Sequence, residues 1–202
     1  MKSMFVLPIV VLLILFLGCK NQEKETVKFN LKKMSSIKIK IPYNEFERIE
    51  SPCCDESEYP YDSALLKLII YSDSSECNLC MMRKLYEWNR YVRLEERYSG
   101  KFVLRFIIYP PERLLNEIRR LYLVSDLHAP IYIDLNGAFL RNNSMLPKDS
   151  KYHTFLLDEC DSVILVGNPL HNHDVETLMF GIIDERLRLK HRVNKYVNNI
   201  EQ

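Results

Sequence analysis

The stretch that most constrains the fold is Leu66 to Trp88, LKLIIYSDSSECNLCMMRKLYEW. An apolar run rich in Ile and Leu halts at a Ser/Asp cluster, and Cys77-Asn78-Leu79-Cys80 then opens a segment of helical period. Met81, Leu85, Trp88 and Val92 fall on one face at the spacing of an amphipathic helix. The order is strand, loop, cysteine pair, helix.

That order has a chemical meaning. At the first turn of a helix the unpaired N–H groups and the macrodipole favour negative charge, so a cysteine there loses its proton more easily. A second cysteine one turn further on can close a disulfide with it or release a mixed disulfide. In this reading Cys77 attacks and Cys80 resolves. Two other readings stay open: a disulfide kept only as a staple, and half of a zinc site. A structural zinc site ordinarily needs a second CxxC or an HxxxH, and the chain has neither.

The N-terminus is the second informative place. Lys2 precedes an apolar run from Met4 to Leu17, short for a transmembrane span, and Gly18-Cys19 follows. This resembles a bacterial lipoprotein signal, residues 1–19, in which Cys19 receives lipid such as palmitate and becomes the new N-terminus. The alternative is an uncleaved anchor helix; either way the remainder lies outside the cytoplasmic membrane, facing the periplasm or the exterior of the cell envelope. Five cysteines are left, at 53, 54, 77, 80 and 160, in a compartment that permits disulfides.

At 202 residues the chain allows one domain with extensions. Lys and Arg number 28 against 27 Asp and Glu, which leaves no basic footprint for nucleic acid. Residues 20–35 are charged and read as a tether. Residues 36–64 form an N-terminal extension: Ser36 to Ile41 alternates like an edge strand, and the vicinal pair Cys53-Cys54 carries no assigned role.

After the cysteine-pair helix, expected to reach about Tyr98, Phe102 to Tyr109 reads as a strand buried on both faces. Pro110-Pro111 ends it, and a second helix runs to about Val124 on an apolar face of Leu114, Leu115, Ile118, Leu121 and Tyr122. Strand, helix, strand implies a parallel crossover. Pro130 to Asp134 is a short strand, residues 138–150 read mostly as loop, and His153 to Asp158 with Ser162 to Gly167 form a hairpin. Asp174 can cap a last helix whose inner face is Val175, Leu178, Met179, Ile182 and Leu189; the polar tail is 191–202.

The sequence of elements from about Leu65 to Leu189 resembles the thioredoxin superfamily, and the export signal resembles its lipoprotein branch related to peroxiredoxins and cytochrome-maturation thioredoxins. The resemblance rests on Cys77-Asn78-Leu79-Cys80 after a strand, on Tyr132-Ile133-Asp134 through Gly137 and Phe139, and on Thr154-Phe155-Leu156-Leu157-Asp158. It implies an α/β thioredoxin-like domain over residues 65–190, a central mixed sheet flanked by helices. It also implies Cys77 and Cys80 as a redox-active centre.

Two departures modify the implied site. The family usually has Trp before the first cysteine; here Glu76 stands there, and a carboxylate beside a thiolate disfavours it. The family's cis-proline before the Thr of the first hairpin strand is replaced by His153, before Thr154, and a non-prolyl cis bond is costly enough that a trans peptide is expected. His153 has three readings: a solvent-facing spectator, a cationic partner of Cys77, or a third soft-metal ligand with the two cysteines. Cys160 sits at the hairpin tip, and His171-Asn172-His173 is weak evidence for a metal pair.

The expected function is a lipid-anchored thiol-disulfide oxidoreductase acting on protein thiols and disulfides with a redox partner, without cofactor or metal. The alternative is a non-catalytic thioredoxin-fold scaffold that has lost turnover. A peroxidase is disfavoured because no Thr lies three residues before either cysteine.

Overall fold

The computed structural model describes residues 22–51 and 60–188. The signal segment with Cys19, the pair Cys53-Cys54, Leu189 and the polar tail lie outside the described residues.

Six strands form one sheet: β1 (Glu47–Ile49), β2 (Leu66–Ser72), β3 (Phe102–Ile108), β4 (Ile131–Ile133), β5 (Thr154–Leu157) and β6 (Val163–Val166). The spatial order is β1-β4-β3-β2-β5-β6. β2, β3 and β4 are mutually parallel, whereas β1, β5 and β6 each pair antiparallel with their neighbours. The unbroken apolar runs of β2 and β3 are buried along their whole length, as strands covered on both faces require.

Period-two alternation divides the core between two faces. Leu66, Leu68 and Ile70 of β2 with Phe102, Leu104, Phe106 and Ile108 of β3 pack under helices α3 (Asn89–Arg97), α4 (Leu115–Leu123) and α6 (His173–Ile183). Ile69, Tyr71, Ile107, Phe155 and Leu157 point to the other face with Phe139 of helix α5 (Ala138–Asn142) and Met34. Two buried cations interrupt these faces. Lys67 Nζ stands 2.7 Å from Asp161 Oδ1 at the hairpin tip, and Arg105 lies 3.0 Å from Glu95 Oε1. Glu95 Oε1 also accepts the Leu104 N–H at 2.7 Å, so one carboxylate serves both the strand and the buried guanidinium.

Several elements differ from the sequence reading. Residues 22–34, read as a tether, are helical (α1), and Met34 at the end is buried. The alternation of Ile37, Ile39 and Ile41 does face the core, but this segment makes a single bridge, Lys38 to Ser162, in place of a strand. β1 was not anticipated. Residues 138–142 are helical because Asp134 takes the Ala138 and Phe139 N–H groups at 2.8 Å each, capping a helix where a loop was expected. Asn172, not Asp174, caps α6, accepting the Asp174 and Val175 N–H groups. Leu178 is 58% exposed; Met179, Ile183 and Leu187 supply the buried face.

Candidate active site

β2 ends at Ser72 in the middle of the sheet, and the loop that leaves it is held by Asn78. The buried Asn78 side chain donates to Ser72 Oγ at 2.8 Å and to the Asp73 carbonyl at 3.0 Å, tying the first residue of the next helix to the end of the strand. The Asp73 carboxylate accepts the Ser75 N–H at 2.7 Å, an Asx turn that closes the loop from within. The Cys77 carbonyl then accepts the Cys80 and Met81 N–H groups at 2.9 and 3.1 Å. Helix α2 (Asn78–Met82) starts there.

Cys77 and Cys80 are joined by a disulfide, with Cα atoms 5.2 Å apart, and both residues are exposed. The pair is thus oxidisable within the fold and open to a partner. The helix that carries it is shorter than expected. A 3-10 turn at Leu85–Trp88 separates α2 from α3, and the tighter bonds around Lys84 keep Leu85 and Trp88 buried at the cost of a continuous axis. A five-residue α2 offers its own first-turn amides but not the full macrodipole of a helix reaching Tyr98.

His153 is buried at 1% exposure, so the solvent-facing reading does not hold. Its Nε2 lies 2.9 Å from the Pro147 carbonyl, which can only accept, and its Nδ1 lies 3.1 Å from Glu76 Oε1. Both ring nitrogens are engaged, and neither is left for Cys77. Burial works against a charged ring, but the Glu76 and Pro147 hydrogen bonds, with the charges of Glu76 and Asp73, outweigh it and hold the His153 pKa above its ordinary 6.5. When protonated, the ring balances the Glu76 charge. The carboxylate beside Cys77 is therefore hydrogen-bonded to a buried base, not the bare anion that the sequence suggested.

No cis peptide bond occurs among the described residues, so the chain enters Thr154 through a trans bond. The His153 carbonyl accepts the Tyr71 N–H at 2.9 Å, and Thr154, buried at 7% exposure, pairs opposite Ile70. This places His153 and Thr154 beside the end of β2. Tyr71 packs edge-on to His153 with ring centroids 5.2 Å apart, and its buried hydroxyl has no hydrogen-bond partner among the described residues. Burial first, and the Asp73 charge second, hold that phenol protonated far into alkaline pH.

Asp73, Tyr71 and Pro147 were not singled out from the sequence. Asp73 carried a usable signal, an acid directly after a buried strand; Pro147 carried none, since its carbonyl is brought to His153 by the fold alone. Cys160 is exposed and free, and His171 and His173 are exposed.

No protein-family model matches the chain, and no curated protein matches it. Solved structures do. A thioredoxin-like protein in the oxidised form is 16% identical at a TM-score of 0.35, over 50% of this chain and 64% of the other, so the match spans less than two thirds of that protein. A protein assigned as the thiol:disulfide interchange protein DsbE of Chlorobium tepidum is 16% identical at 0.41, over 60% and 80%. The exposed lipoprotein thioredoxin Etrx1 of Streptococcus pneumoniae is 12% identical at 0.39, over 58% and 84%. By the order and direction of its strands, and by a cysteine pair at the start of the helix after β2, this chain has the thioredoxin-like fold.

Proposed function

We propose that the chain is a thiol-disulfide oxidoreductase, exported and anchored by lipid at Cys19. The observation that carries the activity is the exposed Cys77–Cys80 disulfide, one helical turn across, just beyond the end of the interior strand β2. In the reducing direction the Cys77 thiolate attacks one sulfur of a substrate disulfide and expels the other as a thiolate. Cys80, deprotonated in turn, attacks the Cys77 sulfur of the mixed disulfide and releases the substrate's second thiolate. Two electrons pass to the substrate, and the chain is left as the disulfide seen here; oxidation of a dithiol is the same path reversed.

The chain's other residues act by holding the geometry. Asn78 fixes the cysteine turn to β2, and the Glu76–His153 pair keeps a carboxylate one residue from Cys77 electrostatically balanced. Protein thiols and disulfides are the fitting partners because both cysteines are exposed and within reach of a macromolecule. The anchor rests on Gly18-Cys19 after an apolar run; no helix among the described residues is long and apolar enough to cross a membrane.

The test is capture in cells with Cys80→Ser. Mixed disulfides through Cys77 should accumulate and vanish under reduction, and the Cys77→Ser/Cys80→Ser variant should show none. A protein that captures nothing, or whose cysteines cannot be cycled while folded, is a scaffold. Labelled palmitate should enter the wild type and not Cys19→Ser.

A further inference from the structure

Next to the disulfide, but not part of it, lies a mixed set of donors. Asp73, Glu76 and His153 each offer one ligand atom, and the three atoms lie within 4.8 Å of one another; they are the one such His/Cys/Asp/Glu group among the described residues. His153 is buried, whereas Asp73 and Glu76 are partly exposed, which leaves a path from solvent.

Three observations point beyond a salt bridge. The first is charge: two carboxylates face one imidazole, so a protonated ring leaves one negative charge over, and among the described residues no lysine or arginine is paired with Asp73. A divalent ion with a neutral ring balances the set. The second is orientation. The Pro147 carbonyl holds Nε2–H at 2.9 Å, which in the neutral ring turns the Nδ1 lone pair toward Glu76 Oε1. A backbone carbonyl fixing the far nitrogen is how metal-ligating histidines are oriented. Two such ligands, each about 2.0–2.1 Å from a tetrahedral ion, stand roughly 3.3 Å apart, close to the 3.1 Å found here. The third is Tyr71, nine-tenths buried against His153, with a hydroxyl that has no hydrogen-bond partner among the described residues and that both carboxylates influence. Water on an ion at this place would give it a partner.

We propose that Asp73, Glu76 and His153 form a binding site for a divalent transition-metal cation of the zinc class, beside the disulfide and independent of it. The imidazole selects such an ion over magnesium or calcium, which prefer oxygen alone. Cys77 and Cys80 are not ligands while oxidised, because a disulfide sulfur carries no thiolate charge.

The test is calorimetric titration of the full chain, disulfide intact, with zinc chloride and separately with magnesium chloride. One equivalent of zinc should bind and magnesium should not compete. Glu76→Gln and Asp73→Asn should each weaken zinc by on the order of tenfold or more, with unchanged far-ultraviolet circular dichroism to show that they fold. Cys77→Ser/Cys80→Ser should bind as the wild type does. Failure of the wild type to bind zinc overturns the site, as does undiminished binding in both carboxamide variants. Loss of binding in the double serine variant would assign the ion to sulfur and overturn it equally.

Discussion

His153 Nδ1 stands 3.1 Å from Glu76 Oε1, joining the two positions at which this chain departs from the thioredoxin pattern. They are 77 residues apart in sequence. One departure answers the other: the acid in place of the Trp meets the base in place of the proline, and each removes the penalty the other would incur alone.

This pairing makes stability depend on pH in a definite direction. The folded His153 pKa lies above its unfolded value near 6.5, so the stabilisation is complete below about that pH and is lost as pH rises through the folded value. With a chelator present, the urea midpoint of the wild type should fall from pH 6 toward pH 8.5. Glu76→Gln should flatten that fall, and its His153 resonances should titrate at lower pH. A slope shared by both proteins would show that another group is responsible.

Asn78 should matter more than its place between the cysteines implies. Replacing it with Ala removes the bonds to Ser72 Oγ and the Asp73 carbonyl, at a cost of about 1–3 kcal/mol for buried groups left unpaired. Hydrogen exchange should quicken over residues 73–81 while the β2–β3 amides stay protected. Equal protection in both regions would refute the anchoring role.

The buried Glu95–Arg105 pair offers a larger effect. Glu95→Ala takes the balancing carboxylate from a guanidinium at 1% exposure and leaves the Leu104 N–H without its acceptor, and a loss of about 3–5 kcal/mol is expected. Pairing it with Arg105→Met should restore part of that loss, because the uncompensated charge is gone. Chemical denaturation of the single and double variants measures both.

The cap of α6 discriminates between two neighbouring residues. Asn172→Ala should cost about 1 kcal/mol, whereas Asp174→Ala, which loses only an acid in the first turn, should cost a few tenths. Thermal midpoints that rank them the other way would restore Asp174 as the cap.

What the sequence made readable was whatever is local and periodic. The runs at β2 and β3, the cysteine turn, the apolar face of α4 and the alternation of the hairpin each announce themselves within ten residues. What it hid depends on distance or brevity. Glu47-Arg48-Ile49 is too short and too charged to read as a strand until β4 offers it an edge. The cap of α5 lies directly after the preceding strand, at Asp134, where an acid looks like a strand terminator. Residues 22–34 are charged and almost free of large apolar residues at a fixed period, which hides their helix, though Glu25 and Lys28 stand one turn apart at 2.8 Å, as a helix brings them. At the site, Cys77, Cys80, Glu76 and His153 stand out in the sequence, but none of the three readings of His153, solvent-facing, partner of Cys77 or ligand with the two cysteines, names the Glu76 carboxylate that it meets.

The contact that Lys38 makes with Ser162 reaches beyond folding to behaviour in concentrated solution. β6 ends the sheet, and an outermost strand with open main-chain donors and acceptors invites another molecule to extend it. Here the Ile37 carbonyl receives the Val163 N–H and the Ile39 N–H is spent on Asp161, so the place where a neighbour would zip on is taken by the molecule itself. A strap of three residues thereby covers the start of that edge, and trimming it should leave Val163 open to pairing with a second molecule.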